Sequence, residues 1–161
     1  MMPIDAIDLR ILEALQADAG QSNQDLADKV GLSPSPCSRR VRALEQSGVI
    51  DRRVALLDRR KLGLSFTALV LISMDRHTPE RLAGFEAAVS RYPEVQACYL
   101  ITGQDADYLI MVCVPDLDAY QEFLLNKITH IEGVSGVRSS FVMRRVVETT
   151  SLPLAYLERA D

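Results

Sequence analysis

The order of apolar and polar positions changes character near residue 60. In the first part, Ile4, Ile7, Ile11 and Leu15 recur at spacings of three and four, which sets them on one stripe of a helix. That helix should end near Gly20. Ser22 with Asp25 three residues on resembles a capping box with Asp in place of Glu, and it opens a second helix carrying Leu26, Ala27 and Val30 inward. Gly31, free to take a positive φ, breaks that helix. Ser33 and Pro34 then supply an N-cap and a first-turn proline for a third helix running to Gly48. After it, Val49 to Leu57 alternates loosely and reads as a strand or wing flanking the third helix.

The second part opens with Phe66 to Met74, a near-continuous apolar run suited to a strand covered on both sides. Thr78-Pro79-Glu80 starts a helix whose stripe is Leu82, Phe85 and Val89. Val95 to Ile101 reads as a strand, Gly103 to Asp107 as a turn and Tyr108 to Val114 as another strand. Leu117, Tyr120, Leu124 and Ile128 mark a second amphipathic helix, and Val134 to Val147 closes the region as an extended segment broken by Gly136. The order β-α-β-β-α-β is that of a ferredoxin-like split βαβ. The predicted fold class is therefore α+β: an N-terminal winged helix-turn-helix domain and a C-terminal ferredoxin-like βαββαβ domain. The expected boundaries are residues 1–60, 61–150 and a C-terminal tail at 151–161. Such a sheet carries helices on one face only. Its other face, dense in Leu, Val, Ile and Phe, needs a cover, and face-to-face dimerisation supplies one.

Composition narrows the function classes. Of the 161 residues, 48% are hydrophobic and 25% charged, an ordinary balance for a globular protein. No stretch reaches the length of a membrane span, and the first residues, Met1-Met2-Pro3-Ile4-Asp5, lack the basic and apolar regions of a signal peptide. A cytoplasmic location is the expectation. Cys37, Cys98 and Cys113 are widely spaced and odd in number, so neither a disulfide framework nor a zinc site is expected, and no cofactor is called for. The net charge of −4 is unevenly spread: Lys29 to Arg60 holds eight basic and three acidic residues, a balance of +5, which leaves −9 for the rest. One basic segment on an acidic protein is the pattern of a locally docking DNA binder.

The third helix falls within that segment. Cys37, Val41 and Leu44 share one face, while Ser35, Ser38, Arg39 and Arg42 share the opposite one. Hydroxyls and guanidinium forks hydrogen-bond phosphates and base edges, and a helix fits the major groove. The short preceding helix, the glycine turn and the following Arg52-Arg53 pair favour a DNA-reading role over a merely solvated face.

Together these segments resemble the Lrp/AsnC (feast-or-famine) family of transcription regulators over nearly the whole chain. The marks are Ile4 to Leu12, Asn23 to Val30, Gly31-Leu32-Ser33-Pro34-Ser35-Pro36-Cys37, Arg40 to Glu45 and Gly48-Val49-Ile50, then Thr102-Gly103, Asp107-Tyr108-Leu109 and Val114-Pro115-Asp116. The resemblance implies a regulator whose binding to double-stranded DNA is modulated by an amino acid or related metabolite. It implies homodimers paired through the C-terminal sheets, often assembled to octamers. The expected DNA-contacting set is Asn23, Ser33, Ser35, Pro36, Ser38, Arg39, Arg42, Arg52 and Arg53. The effector set implied by the resemblance is Leu100, Thr102, Gly103, Asp105, Asp107 and Tyr108. A glycine turn offers backbone N–H groups to a carboxylate, and an Asp offers an anionic partner to an ammonium. The turn Gly103-Gln104-Asp105-Ala106-Asp107 is one residue longer than the commoner Gly-x-x-Asp spacing of the family, which leaves Asp105 and Asp107 as alternatives. Two other readings exist: a relative acting as a haem-precursor decarboxylase, and an oligomeric sensor that does not bind DNA. The first relies on histidine-rich pockets, whereas this chain has only His77 and His130, neither expected beside a carboxylate pair or nucleophile. The outward Ser/Arg stripe argues against the second.

Overall fold

The structure is a computed structural model in which residues 4–103 and 106–157 are described. The chain forms two compact units. One holds the N-terminal region up to Leu56 together with the stretch from Val147 onward, and the other is Leu57–Val146.

In the first unit, helix α1 (Ala6–Ala17) begins at a reciprocal capping box. The Asp5 carboxylate accepts from the Ile7 and Asp8 amides, and the Asp8 side chain accepts from the Asp5 amide. Helix α2 (Asn23–Val30) is capped by Ser22 Oγ, which accepts from the Asp25 amide, and ends at Gly31 in the left-handed region, φ +72°. Helix α3 (Pro34–Gln46) starts with Pro34 in its first turn; Ser33 is extended there, but its hydroxyl makes no capping bond. It stops two residues before Gly48, which itself takes φ +77° and lets Ile50 N–H reach the Leu44 carbonyl. Ile11, Leu12, Leu26, Ala27, Val30, Cys37, Val41 and Leu44 form the core, with Ile4, Ile7 and Leu15 at its rim.

Two sequence expectations change in this unit. The stretch from Val49 to Leu57 contains no strand. A ladder needs a partner edge, and none faces it among the described residues, so Val54, Leu56 and Leu57 stay exposed. The expected separate tail at 151–161 is not separate over its described part, which groups with the helices.

The second unit is a four-stranded antiparallel sheet of β1 (Phe66–Met74), β2 (Val95–Leu100), β3 (Tyr108–Val114) and β4 (Val134–Phe141), in the order β2-β3-β1-β4. Helices α4 (Pro79–Val89) and α5 (Leu117–Asn126) complete it. Ala68, Val70, Ile72 and Met74 alternate inward from β1, and Tyr108, Ile110, Val112 and Val114 from β3, to meet Phe85, Val89, Tyr120 and Phe123 of the helices. The stripe expected on α5 is corrected at its start: Leu117 is exposed and Phe123 is buried instead, because the helix packs through the Tyr120–Phe123 side. Strand β4 ends at Phe141 rather than Val147. Phe141 pairs with Ala68 and Val142 N–H reaches Thr67, after which β1 offers nothing further to pair with. The register slips where Ser73 faces Gly136 and Met74 faces Val134, a bulge at the expected glycine break. The outer face of the sheet shows Leu69 and Leu71 of β1, Leu109, Met111 and Cys113 of β3, and Tyr99 of β2.

Candidate functional sites: a nucleic-acid interface and a ligand loop

Helix α3 is presented by the turn before it. The Asn23 side-chain amide, at the start of α2, donates to the Pro34 carbonyl at 2.9 Å and so fixes the entry of α3. Asn23 is thereby committed to the turn. Behind α3, Cys37, Val41 and Leu44 are buried; in front, Ser35, Arg39 and Arg42 are exposed, with Pro36 and Ser38 half-buried. Arg39 and Arg42 have no ion-pair or hydrogen-bond partner among the described residues. Two guanidiniums without a partner among the described residues, and a hydroxyl, on one exposed helix face are able to donate to phosphates or base edges without giving up an internal bond.

The neighbouring arginine does something different. Arg40 Nη1 lies 2.8 Å from both Asp5 Oδ2 and Asp8 Oδ1, the latter side chain only 7% exposed. The amide of Asp8 donating to Asp5, helped by Arg40, holds the Asp5 carboxyl below the ordinary value, and the two carboxylates raise the Arg40 guanidinium in turn. This lock fixes α3 against the start of α1. Its signal was present in the sequence: Arg40 stands three residues after Cys37, next to the packing face, and Asp5 and Asp8 form a helix-opening Asp-x-x-Asp. Of the Arg52-Arg53 pair, Arg53 is tied to Glu45 of α3 at 2.9 Å, whereas Arg52 makes only a loose, fully solvated contact with Asp51 at 3.6 Å. Ser33 is exposed beside the turn.

The loop between β2 and β3 distributes the expected effector residues unevenly. Thr102 and Gly103 are exposed, with Gly103 at φ +83°, while Asp105 lies outside the described residues. Asp107 turns inward. Its Oδ2 accepts from the Met74 amide at 2.7 Å and its Oδ1 lies 2.6 Å from His77 Nε2, leaving the side chain 19% exposed. Its own backbone ties Ile72 to Ile101. One of the two carboxylates that the sequence leaves as alternatives is thus occupied by its own chain. His77, expected beside neither a nucleophile nor a carboxylate pair, sits against this single carboxylate.

Leu100 and Tyr108 are register partners at the base of the loop and line one groove of about 370 Å³ with Glu86, Val89, Cys98 and neighbours along β2. Tyr108 is buried, its ring 4.5 Å from that of Phe85 and its hydroxyl donating to Glu86 Oε1 at 2.8 Å. Burial first, then the Glu86 carboxylate, raises its phenol far above the ordinary range, so it remains a neutral donor. Burial and Glu86 likewise push the Cys98 thiol up. Glu86 was not anticipated, although it follows Phe85 on the helix stripe that faces the β2–β3 end. Among the described residues no group of three or more His, Cys, Asp or Glu side chains is placed to hold a metal, and no helix is long and apolar enough to cross a membrane.

Comparison with known proteins adds an independent line. Residues 4–51 match the model of a winged helix-turn-helix DNA-binding domain, and residues 67–152 match that of the Lrp/AsnC ligand binding domain. The chain is 44% identical over 154 residues to the Bkd operon transcriptional regulator of Pseudomonas aeruginosa, covering 96% of this chain and 100% of that one. It is 40% identical over 149 residues to the leucine-responsive regulatory protein of Escherichia coli, covering 92% and 90%. Among solved structures, a transcriptional regulator from Neisseria meningitidis in complex with L-Met superposes with a TM-score of 0.92 at 36% identity, over 96% of this chain and 99% of that one.

Proposed function

The chain belongs to the Lrp/AsnC family of helix-turn-helix transcription regulators, and from that premise we propose which of its residues read DNA and which hold the effector. The reading rests on one observation above the others: Arg39 and Arg42 project from α3 on the side opposite Cys37, Val41 and Leu44, unpaired among the described residues. They serve, with Ser35 and Ser38, as the base and phosphate contacts in a major groove. Ser33, Pro36 and Arg52 flank that contact, while Asn23 and Arg53 hold the frame.

The effector is an amino acid, as the L-Met complex of the Neisseria relative suggests. It is held at the loop Thr102–Tyr108, with backbone N–H groups around Gly103 for the carboxylate. Asp105 is the anionic partner left for the ammonium, since both oxygens of Asp107 are engaged. Leu100 offers apolar surface beside it, exposed by 60%. Tyr108 acts from below, by fixing the strand. Two copies pair through the outer sheet face, where Leu69, Tyr99 and Met111 lie, and such dimers assemble further toward an octamer. A regulator of this kind works in the cytoplasm, where the DNA is.

The test is a mobility-shift titration on genomic fragments, with and without each amino acid, at two salt concentrations. Binding that weakens with salt and changes with one amino acid supports the reading. Binding insensitive to all of them removes the effector assignment, and no binding at all removes the DNA assignment.

A further inference from the structure

The stretch from Val147 onward leaves the sheet domain and returns to the helices. The Gln16 side chain, in the last turns of α1, meets it with both of its polar atoms. Its Oε1 accepts from the Leu152 amide at 2.6 Å and its Nε2 donates to the Leu152 carbonyl at 3.2 Å. Two residues on, a short 3₁₀ turn (Leu154–Tyr156) follows Pro153 and sets Leu154, partly buried, against the hydrophobic core of the three helices. The bidentate bond resembles one rung of a sheet, made by a side chain in place of a strand. A lone polar side chain is an unusual place to spend two backbone hydrogen bonds 136 positions away in sequence.

We propose that the DNA-binding domain of this protein is discontinuous: residues 147–157 are a strap that seats α1 and, through it, the recognition helix, and DNA binding at full strength requires them. The route is on the surface of one unit. The strap holds the C-terminal half of α1 through Gln16 and packs Leu154 against the helical core, and the N-terminal end of α1 holds α3 through Asp5, Asp8 and Arg40. Helix α1 is therefore fastened at both ends, and only one fastening lies within residues 4–51, the span matched by the helix-turn-helix model. A consequence of the connectivity is that the chain joins its two units twice, at Leu56–Leu57 and at Val146–Val147. A displacement of the strap where it leaves the sheet domain is passed to α1 directly, besides whatever passes along the exposed stretch at 52–57.

The experiment uses the full chain carrying Gln16→Leu, which keeps a side chain reaching to Cδ and its helix-forming character while removing both bonds, and separately Leu154→Ala. Amide hydrogen exchange is followed in α1 and in β1 and β3 of the sheet domain. Affinity is measured by anisotropy on a mixed-sequence duplex of about three helical turns. Both variants are expected to speed exchange in the second half of α1 about tenfold, to leave β1 and β3 unchanged, and to weaken the duplex complex about three- to tenfold. Unchanged exchange in α1 for both variants shows that the strap does not seat the helix and overturns the proposal. Faster exchange in α1 at unaltered affinity reduces the strap to a passive brace and overturns it equally. Exchange that rises as much in β1 and β3 marks general destabilisation and counts against it, with Gln16→Leu, at a half-buried surface position, deciding the matter if Leu154→Ala unfolds.

Discussion

Replacing Asp107 by Ala and by Asn separates two roles that its sequence position alone would merge. The structure gives each carboxylate oxygen one partner: the Met74 amide at 2.7 Å and His77 Nε2 at 2.6 Å. Met74 is only 6% exposed, so Asp107→Ala strands its N–H away from water. An orphaned buried donor costs about 1–3 kcal/mol. The His77 contact adds little, because that imidazole is 70% exposed and a solvated pair contributes about 0–1 kcal/mol. The expected loss is roughly 2–3 kcal/mol, a fall in melting temperature of about 5–10 °C for a chain of this size. Asn keeps one carbonyl oxygen for Met74 N–H and turns an NH₂ toward His77 Nε2, which accepts in its neutral form. Asp107→Asn should therefore lose less than about 1 kcal/mol. Calorimetric titration with the amino acid that alters DNA binding in the mobility-shift screen then completes the comparison. If Asp107 positions the loop and does not touch the ligand, Asn retains the wild-type affinity within about threefold, while Ala loses it together with the loop; a lost ammonium–carboxylate bond would instead cost both variants about 1.5–3 kcal/mol. Equal thermal losses for the two variants, or equal and large losses of affinity, would refute the positioning role.

Three further outcomes are expected. Arg39→Ala and Arg42→Ala should each weaken operator binding by about 1–3 kcal/mol where they read a base, and reduce the salt dependence where they hold a phosphate, with unfolding temperature unmoved; unaltered shift-assay affinity in both contradicts the assignment of the α3 face. Arg40→Met should lower the melting temperature at neutral pH, because it leaves the buried Asp8 carboxylate without its cation. The folded-state value of Asp5 lies below its ordinary 3.8, so its contribution is present above that pH and lost as the pH falls through the folded value. The difference between wild type and Arg40→Met in thermal scans should therefore narrow below about pH 4, and a gap that stays constant into acid speaks against the lock. Leu69→Asp and Met111→Asp, which are register neighbours on the outer sheet face, should shift sedimentation from dimer or larger species to monomer, since an unpaired carboxylate buried at a pairing surface costs several kcal/mol.

The parts of this molecule that were legible in the sequence are those whose cause is local. The sequence places β3 at its observed limits because Tyr108 to Val114 alternates into a core under two helices, and Gly31 marks the end of α2 because a left-handed residue closes the helix there. Where a partner decides, periodicity is silent. Nothing in Val49 to Leu57 distinguishes a strand with a neighbour from one without, so the alternation predicts a strand that the chain does not form there. The same holds for chemistry. Asp107 has the composition of a ligand contact, and only the proximity of the end of β1, 33 positions away, shows its carboxylate spent on Met74. Arg39, Arg40 and Arg42 look alike as letters, yet the 100° advance per residue turns Arg40 toward Asp5 and Asp8 and leaves the other two outward. The sequence thus contained enough to divide these three arginines into one engaged within the fold and two turned outward, provided the helical phase was applied to every member of the run. For Gln16 it did not: no phase or spacing connects it to Leu152, and only the return of the chain to its first helix brings the two together.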